Sequence, residues 1–139
     1  MLASYTVCPE TSILNFITHE ESDFIQEIDW RANENNIRVT PANVETFPFI
    51  DTTGYSAKMQ FIAKGDPTET VLLTLDSSDQ IIFNGTLSPN VVIKITRAQV
   101  EALGVGTFTY DLIITMPDGY RFTWLIGDFV IKNNITSFA

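Results

Sequence analysis

The stretch "TYDLIITMPDGYRFTWLIGDFVI" (109–131) carries five aromatic residues around a single turn signal, and its patterning decides the fold. With the preceding Phe108, residues Tyr110, Leu112 and Ile114 hold one phase of an apolar and polar alternation. After the turn Tyr120, Phe122, Trp124 and Ile126 do the same. A period of two marks a strand with one buried face. Between the two runs, Pro117 pre-sets φ, Asp118 can bond its neighbouring backbone and Gly119 supplies positive φ, so "MPDGY" is expected to close a hairpin. Beyond Trp124 the apolar phase moves from even positions to the odd positions Phe129 and Ile131. Gly127 sits at that change and is expected to mark a bulge or bend.

Further strands are predicted upstream. Phe24, Ile28 and Trp30 share a phase against Glu27 and Asp29, and Tyr55, Ala57, Met59, Phe61 and Ala63 share one against Ser56, Lys58 and Gln60. "VLLTL" (71–75), "IIF" (81–83) and "VVIKI" (91–95) follow, separated by the turn compositions "DSSD" and "NGTLSPN". One helical signal interrupts them at "TRAQVEALG", where Thr96 and Gln99 have capping-box spacing and Gly104 can end the turn. About seven to nine strands with regular turns and a short helical turn near 96–103 predict an all-β, immunoglobulin-like antiparallel β-sandwich rather than βαβ units. A single domain is expected over 1–139, with a flexible N-terminal arm over about residues 1–12 and a short tail over about 133–139.

Composition narrows the partners. The 17 acidic and 8 basic residues give a net charge of -9, which disfavours a phosphate backbone because such binding needs clustered Lys and Arg. Residues 1–50 hold eight acids and two bases, net -6, leaving -3 for the remainder. Cys8 is the only cysteine, so no intrachain disulfide forms and packing must hold the domain. "MLASYTVCPE" has neither a basic start nor an apolar run, so it does not read as a signal peptide. No apolar run approaches the ~20 residues that span a bilayer, so no membrane partner is expected.

Candidate chemistry is thin. His19 and Cys8 lack the orienting group that a nucleophilic pair requires, and two such residues cannot build a zinc site. "HEESDFIQEID" places Glu20, Glu21, Asp23, Glu27 and Asp29 close together, but without the central glycine and alternate acids of a calcium loop. A solvated acidic strand face is the expected reading. "GVG" (104–106) lacks the lysine and following helix of a phosphate loop, and the sequons at Asn84 and Asn134 carry little weight without a secretion signal. No enzyme activity, metal or cofactor is expected. Trp30 and Trp124 are the candidate ligand or partner contacts, since exposed Trp can stack on sugar rings. The aliphatic company of Trp124 favours the core.

From "VVIKIT" to "TFTYDL" the chain resembles the corner of an immunoglobulin-type sandwich: a strand, a short helical turn, then Gly106, Phe108 and Tyr110 at alternate positions opening the next strand. In antibody domains a tyrosine and a cysteine hold the places of Phe108 and Tyr110, so apolar packing must replace the disulfide. More specifically, the chain resembles the immunoglobulin-like domain of bacteriophage baseplate upper proteins and related small tail proteins. The resemblance is carried by "TTGYSAKMQFIAK" (52–64), "VLLTLDSSDQIIF" (71–83), "VVIKITRAQVEAL" (91–103), "GTFTYDLIITMPDGYRFTWLIGDFVI" (106–131) and "NNIT" (133–136), with a looser match back to Phe24. This chain departs from the family in the longer connection "RANENNIRVTPANVETFPFI" (31–50) and in lacking the C-terminal extension that reaches receptor-binding partners.

The resemblance implies a non-catalytic virion protein, assembled in the host bacterial cytoplasm and placed in tail, baseplate or neck. Its partners would be other phage virion proteins and copies of itself in a symmetric homo-oligomeric assembly. Function is then expected in the sheet edges, the 31–50 loop and the terminal arms. The alternatives are a carbohydrate-binding or host-adsorption module and a capsid decoration protein.

Overall fold

The C-terminal hairpin anchors everything else. In the computed structural model, which describes residues 11–31 and 49–135, strands β8 (Gly106–Thr115) and β9 (Arg121–Lys132) pair antiparallel around the turn. Met116 donates to the Tyr120 carbonyl at 2.8 Å, Tyr120 N–H is held by the Asp118 carboxylate at 2.8 Å, and Gly119 takes φ 92°. That is the turn the composition predicts.

Around the hairpin lie β1 (Ser12–Ile13), β2 (Phe16–His19), β3 (Phe24–Ile28), β4 (Ser56–Ala63), β5 (Val71–Asp76), β6 (Ile81–Phe83), β7 (Val91–Ile95) and helix α1 (Arg97–Leu103). One sheet has six strands in the order β1-β9-β8-β4-β5, with β2 also on β9, and the other has three in the order β3-β7-β6. This division, with β3, β7 and β6 facing the hairpin sheet, is that of an immunoglobulin-like fold. Pairing is antiparallel except at β1 and β2, which run parallel to β9. Helix α1 fits its predicted cap: Gln99 N–H donates to Thr96 Oγ1 at 3.2 Å, Thr96 N–H donates to Gln99 Oε1 at 3.0 Å, and Gly104 ends it at φ 81°. Its buried Val100 closes one end of the core.

Met59, Phe61, Leu75, Ile81, Ile93, Leu112, Ile114 and Phe129 are fully enclosed between the sheets. Each such side chain contributes about 1.5–3 kcal/mol of burial. Where antibody domains carry a disulfide, this protein has interlocked rings. Phe16 stacks on Tyr110 at 5.5 Å and meets Phe24 edge-on at 5.4 Å, Phe24 meets Phe129 at 5.2 Å, and Phe129 meets Phe61 at 5.3 Å. The expected apolar substitute for the staple is therefore aromatic and joins both sheets.

Two expectations about β9 need correction. The phase changes between Trp124 and Leu125, not at Gly127: Leu112 faces Leu125 while Ile113 faces Thr123, leaving Trp124 as the extra residue of a β-bulge. Trp124 and Leu125 both turn inward, and Ile126 is left 37% exposed on the outer face rather than in the core. Gly127 lies in a continuous strand and answers a different constraint. A Cβ there would stand 2.2 Å from the Leu14 carbonyl oxygen. Between β1 and β2 the ladder is interrupted: Leu14 N–H still reaches the Ile126 carbonyl, but Asp128 N–H is satisfied by the Asn15 side chain at 2.9 Å. The Leu14 carbonyl turns over Gly127 and accepts the Tyr110 hydroxyl.

The described chain is already docked at its start, since Thr11 Oγ1 donates to the Thr123 carbonyl at 2.8 Å and Ser12 pairs with Leu125. At the other end Asn134 is tied to Glu20. Residues 1–10 and 136–139, the rest of the expected arm and tail, lie outside the described residues.

Gly127→Ala is expected to force the Leu14–Asn15 crossing outward and to lower unfolding free energy by about 3 kcal/mol, as overpacking does. Urea denaturation measures this, with amide exchange accelerated at Leu14 and Asp128. An unchanged midpoint would contradict the close-approach account.

Candidate functional site

Trp30 and Trp124 do come together. Their rings stack at 4.5 Å, with Tyr55 edge-on to Trp30 at 6.0 Å and Phe122 at 6.2 Å. Trp124 is 6% exposed, facing inward in phase with Phe122, and the bulge brings Leu125 in beside it. This pair packs the end of the sandwich, and Trp124 has no free face for a sugar ring.

Beside it sits a polar clamp that no sequence motif signals. Asn90 is fully buried at the start of the loop-to-strand step before β7. Its amide accepts from Trp30 N–H at 2.7 Å and donates to the Trp30 and Ile50 carbonyls, both at 2.9 Å. One side chain therefore imitates a strand and holds both stems of the long connection after β3. Buried Thr52 completes the clamp, accepting from Gly85 N–H at 3.0 Å and donating toward the Gly85 and Asn90 carbonyls at 3.2 Å. Residues 32–48 of the connection, where a functional loop is expected, lie outside the described residues.

The acidic run is not simply a solvated face. Asp23 accepts from Arg97 N–H at 2.7 Å at the start of α1, Asp29 accepts from the Ser88 hydroxyl at 2.7 Å, and Glu20 accepts from Asn134 N–H at 3.1 Å. These carboxylates fasten loops whose partners lie 59 to 114 residues away, beyond any local pattern. Among the described residues no group of three or more His, Cys, Asp or Glu could hold a metal ion. His19 ends β2 opposite Lys132, and Cys8 lies outside the described residues. Both sequon asparagines have their amides engaged, Asn84 with the Pro89 carbonyl at 2.8 Å and Asn134 with that of Glu20. No helix of the described chain is long and apolar enough to cross a membrane.

The surface that stands out is the outer face of the six-stranded sheet. In register, Ile13 lies beside Ile126, Ile126 beside Asp111, and Asp111 beside Gln60. A second row runs from Asp128 through Thr109 and Ile62 to Val71. Ile13 and Ile17 are 75% and 60% exposed, and Val71 and Leu72 are exposed on the far edge. Register shifts at Phe61/Ile62 and Leu112/Ile113 curve the strands between them. The resulting hollow of about 360 Å³ has Ile62, Val71 and Ile126 as aliphatic walls and Gln60, Glu69 and Asp111 as polar ones.

Loop geometry sets one side of this hollow. Asp66 accepts from Thr68 N–H at 2.9 Å, Thr68 Oγ1 at 2.7 Å and Thr70 N–H at 3.1 Å. These bonds hold its carboxyl below the usual range and keep Glu69 at φ 51°, a conformation side chains adopt rarely. Burial pushes the Asp111 carboxyl the other way, above the usual range.

Neither family models nor curated proteins match this chain. Among solved structures, murine CRIg is similar at a TM-score of 0.35 and 12% identity, covering 91% of this chain and 93% of that one. The fold assignment rests on the strand order itself.

Asn90→Leu leaves the Trp30 N–H without its acceptor in a buried site and is expected to cost about 3 kcal/mol, read by chemical denaturation. Retention of wild-type stability would dismiss the clamp. Asp111→Asn is expected to act oppositely. Because the folded state raises the pKa of Asp111, its charge opposes folding above that value, so the variant melts higher at pH 7. The gain closes below about pH 4, where the acid is protonated in both states. A lower melting temperature at pH 7 would contradict the assignment.

Proposed function

We propose that this chain is a non-catalytic structural protein of a bacteriophage particle, an immunoglobulin-like adaptor in baseplate, tail or neck that binds neighbouring virion proteins and its own copies. The observation that carries the contact role is the set of exposed aliphatic side chains on the outer sheet face, Ile13, Ile17 and Ile126 toward one edge and Val71 and Leu72 at the other, with Asp111 and Gln60 between them. Exposed aliphatic groups rimmed by polar residues favour association with protein. The edges add to it: among the described residues β5 and β3 each have one side unpaired, which would let a neighbouring chain continue either sheet. In a ring, one such contact is repeated at every subunit.

The phage assignment itself is supported by the sequence blocks that resemble baseplate upper proteins. They fall on the structural frame: 52–64 on β4 and its preceding turn, 71–83 on β5 and β6, 91–103 on β7 and α1, and 106–131 on the hairpin. Capsid decoration would use the same kind of surface at a different location. The carbohydrate-binding alternative would need a free ring face at Trp30 or Trp124.

Gradient-purified particles are expected to contain the protein in many copies by quantitative mass spectrometry. The double variant Ile13→Asp with Ile17→Asp, altering two exposed side chains, should fold normally yet enter particles at least about tenfold less, as loss of interface anchors does. Immunogold labelling separates a tail location from the capsid surface. Absence from particles would sink the virion reading.

A further inference from the structure

We infer that the hollow on the outer face of the six-stranded sheet receives a lysine or arginine side chain carried on an aliphatic segment of a partner protein. This names the partner chemistry of the contact face proposed above and rests on that reading only for the partner's place in the particle.

The shape of the hollow comes first. At about 360 Å³ it is the size of a small-ligand site, too small for a docked helix or strand and sufficient for one long side chain. Its walls are of two kinds, as a long basic side chain requires. Lys and Arg bury an apolar stem and present a charged head, so Ile62, Val71 and Ile126 would cover the methylenes while Glu69 and Asp111 meet the cation. Gln60 adds an amide at the floor, already bonded to Thr74 at 3.2 Å.

The charges of the hollow are not neutralised from within. Among the described residues neither the Glu69 nor the Asp111 carboxylate has a hydrogen bond or ion pair, and no basic residue lines the site. Three cations of the same face have partners of their own. Lys64 pairs with Asp128 at 2.7 Å, Arg121 bonds Thr115 Oγ1 at 3.1 Å, and Lys58 faces Asp76 across β4 and β5. Asp111 lies exposed beside Ile126 and the β4 strand, where its carboxylate can meet an incoming cation. The net charge of -9 steers a basic partner toward the molecule and an acidic one away. It also opposes a second copy of this chain as the occupant.

The test uses the isotopically labelled full chain and blocked tripeptides as probes. Titration with acetyl-Leu-Arg-Leu-amide should shift the amides of Gln60, Ile62, Thr109 and Asp111, and acetyl-Leu-Glu-Leu-amide should bind at least about tenfold more weakly, since like charges repel. The double variant Glu69→Gln with Asp111→Asn, whose other amide signals report an intact fold, should weaken the arginine peptide at least about fivefold. Equal response to both peptides, shifts spread over the whole surface, or binding indifferent to the double variant would overturn the assignment. So would sedimentation of the free protein as a dimer broken by Ile126→Asp, which would make a second copy the occupant. Loss of peptide binding with the protein still present in particles would remove this inference alone. Absence from particles with peptide binding intact would remove only the virion role.

Discussion

The Tyr110 hydroxyl reaches over the neighbouring strand β9 to a single carbonyl, that of Leu14, and this bond ties the first strands to the hairpin within the six-stranded sheet. The carbonyl has left the ladder between β1 and β2, so without the phenol it would sit part-buried with no partner, at a cost of about 1–3 kcal/mol. Its path runs directly over Gly127, where any side chain would collide. The same tyrosine stacks on Phe16, and Phe16 leads through Phe24 and Phe129 to Phe61. First strand, hairpin and opposite sheet are therefore joined at one place. A disulfide would join only two strands; the aromatic interlock joins five, and it works in a chain whose single cysteine cannot form an internal bridge.

The other end of the sandwich is held by different physics. There the core closes on the stacked Trp30 and Trp124, and the backbone leaving β3 must be satisfied without a strand beside it. Asn90 provides that strand in miniature, and Thr52 provides the hydroxyl that completes it. Buried polar groups of this kind specify one arrangement because every alternative leaves a donor or acceptor unpaired. The two stems of the long connection, at Trp30 and Ile50, are thereby fixed to the same side chain.

The outer sheet face shows what the interlock and the clamp leave free. With the core complete, Ile13, Ile17, Ile126, Val71 and Leu72 add nothing to it. Ile126 and Val71 flank the hollow beside Asp111, and Ile13 lies next to Ile126 on the same face. That placement is what the proposed contact would use. That reading connects the bulges of the strands, which are folding features, to the shape of the site, which is a functional one.

Legibility divided along the chain according to distance. The turn at "MPDGY", the Thr96–Gln99 cap, and the strands around Met59 and Ile93 were all readable, because each depends on residues a few positions apart. The strand at Phe16–His19 was not, since Ile17 faces outward and Thr18 inward, the reverse of what hydropathy suggests. Nor was the shift at Trp124, because a bulge is defined against the partner strand and has no signature in its own. The two tryptophans could be named from the sequence as residues of interest, but their stacking, the Asn90 clamp and the hollow beside Asp111 join segments some 50 to 95 residues apart. What this sequence determined alone was an all-β chain with a well-built hairpin, a capped turn and an aromatic core. Which faces were covered and which carboxylates stayed unpaired only the tertiary structure decided, because burial and charge pairing are properties of neighbours in space.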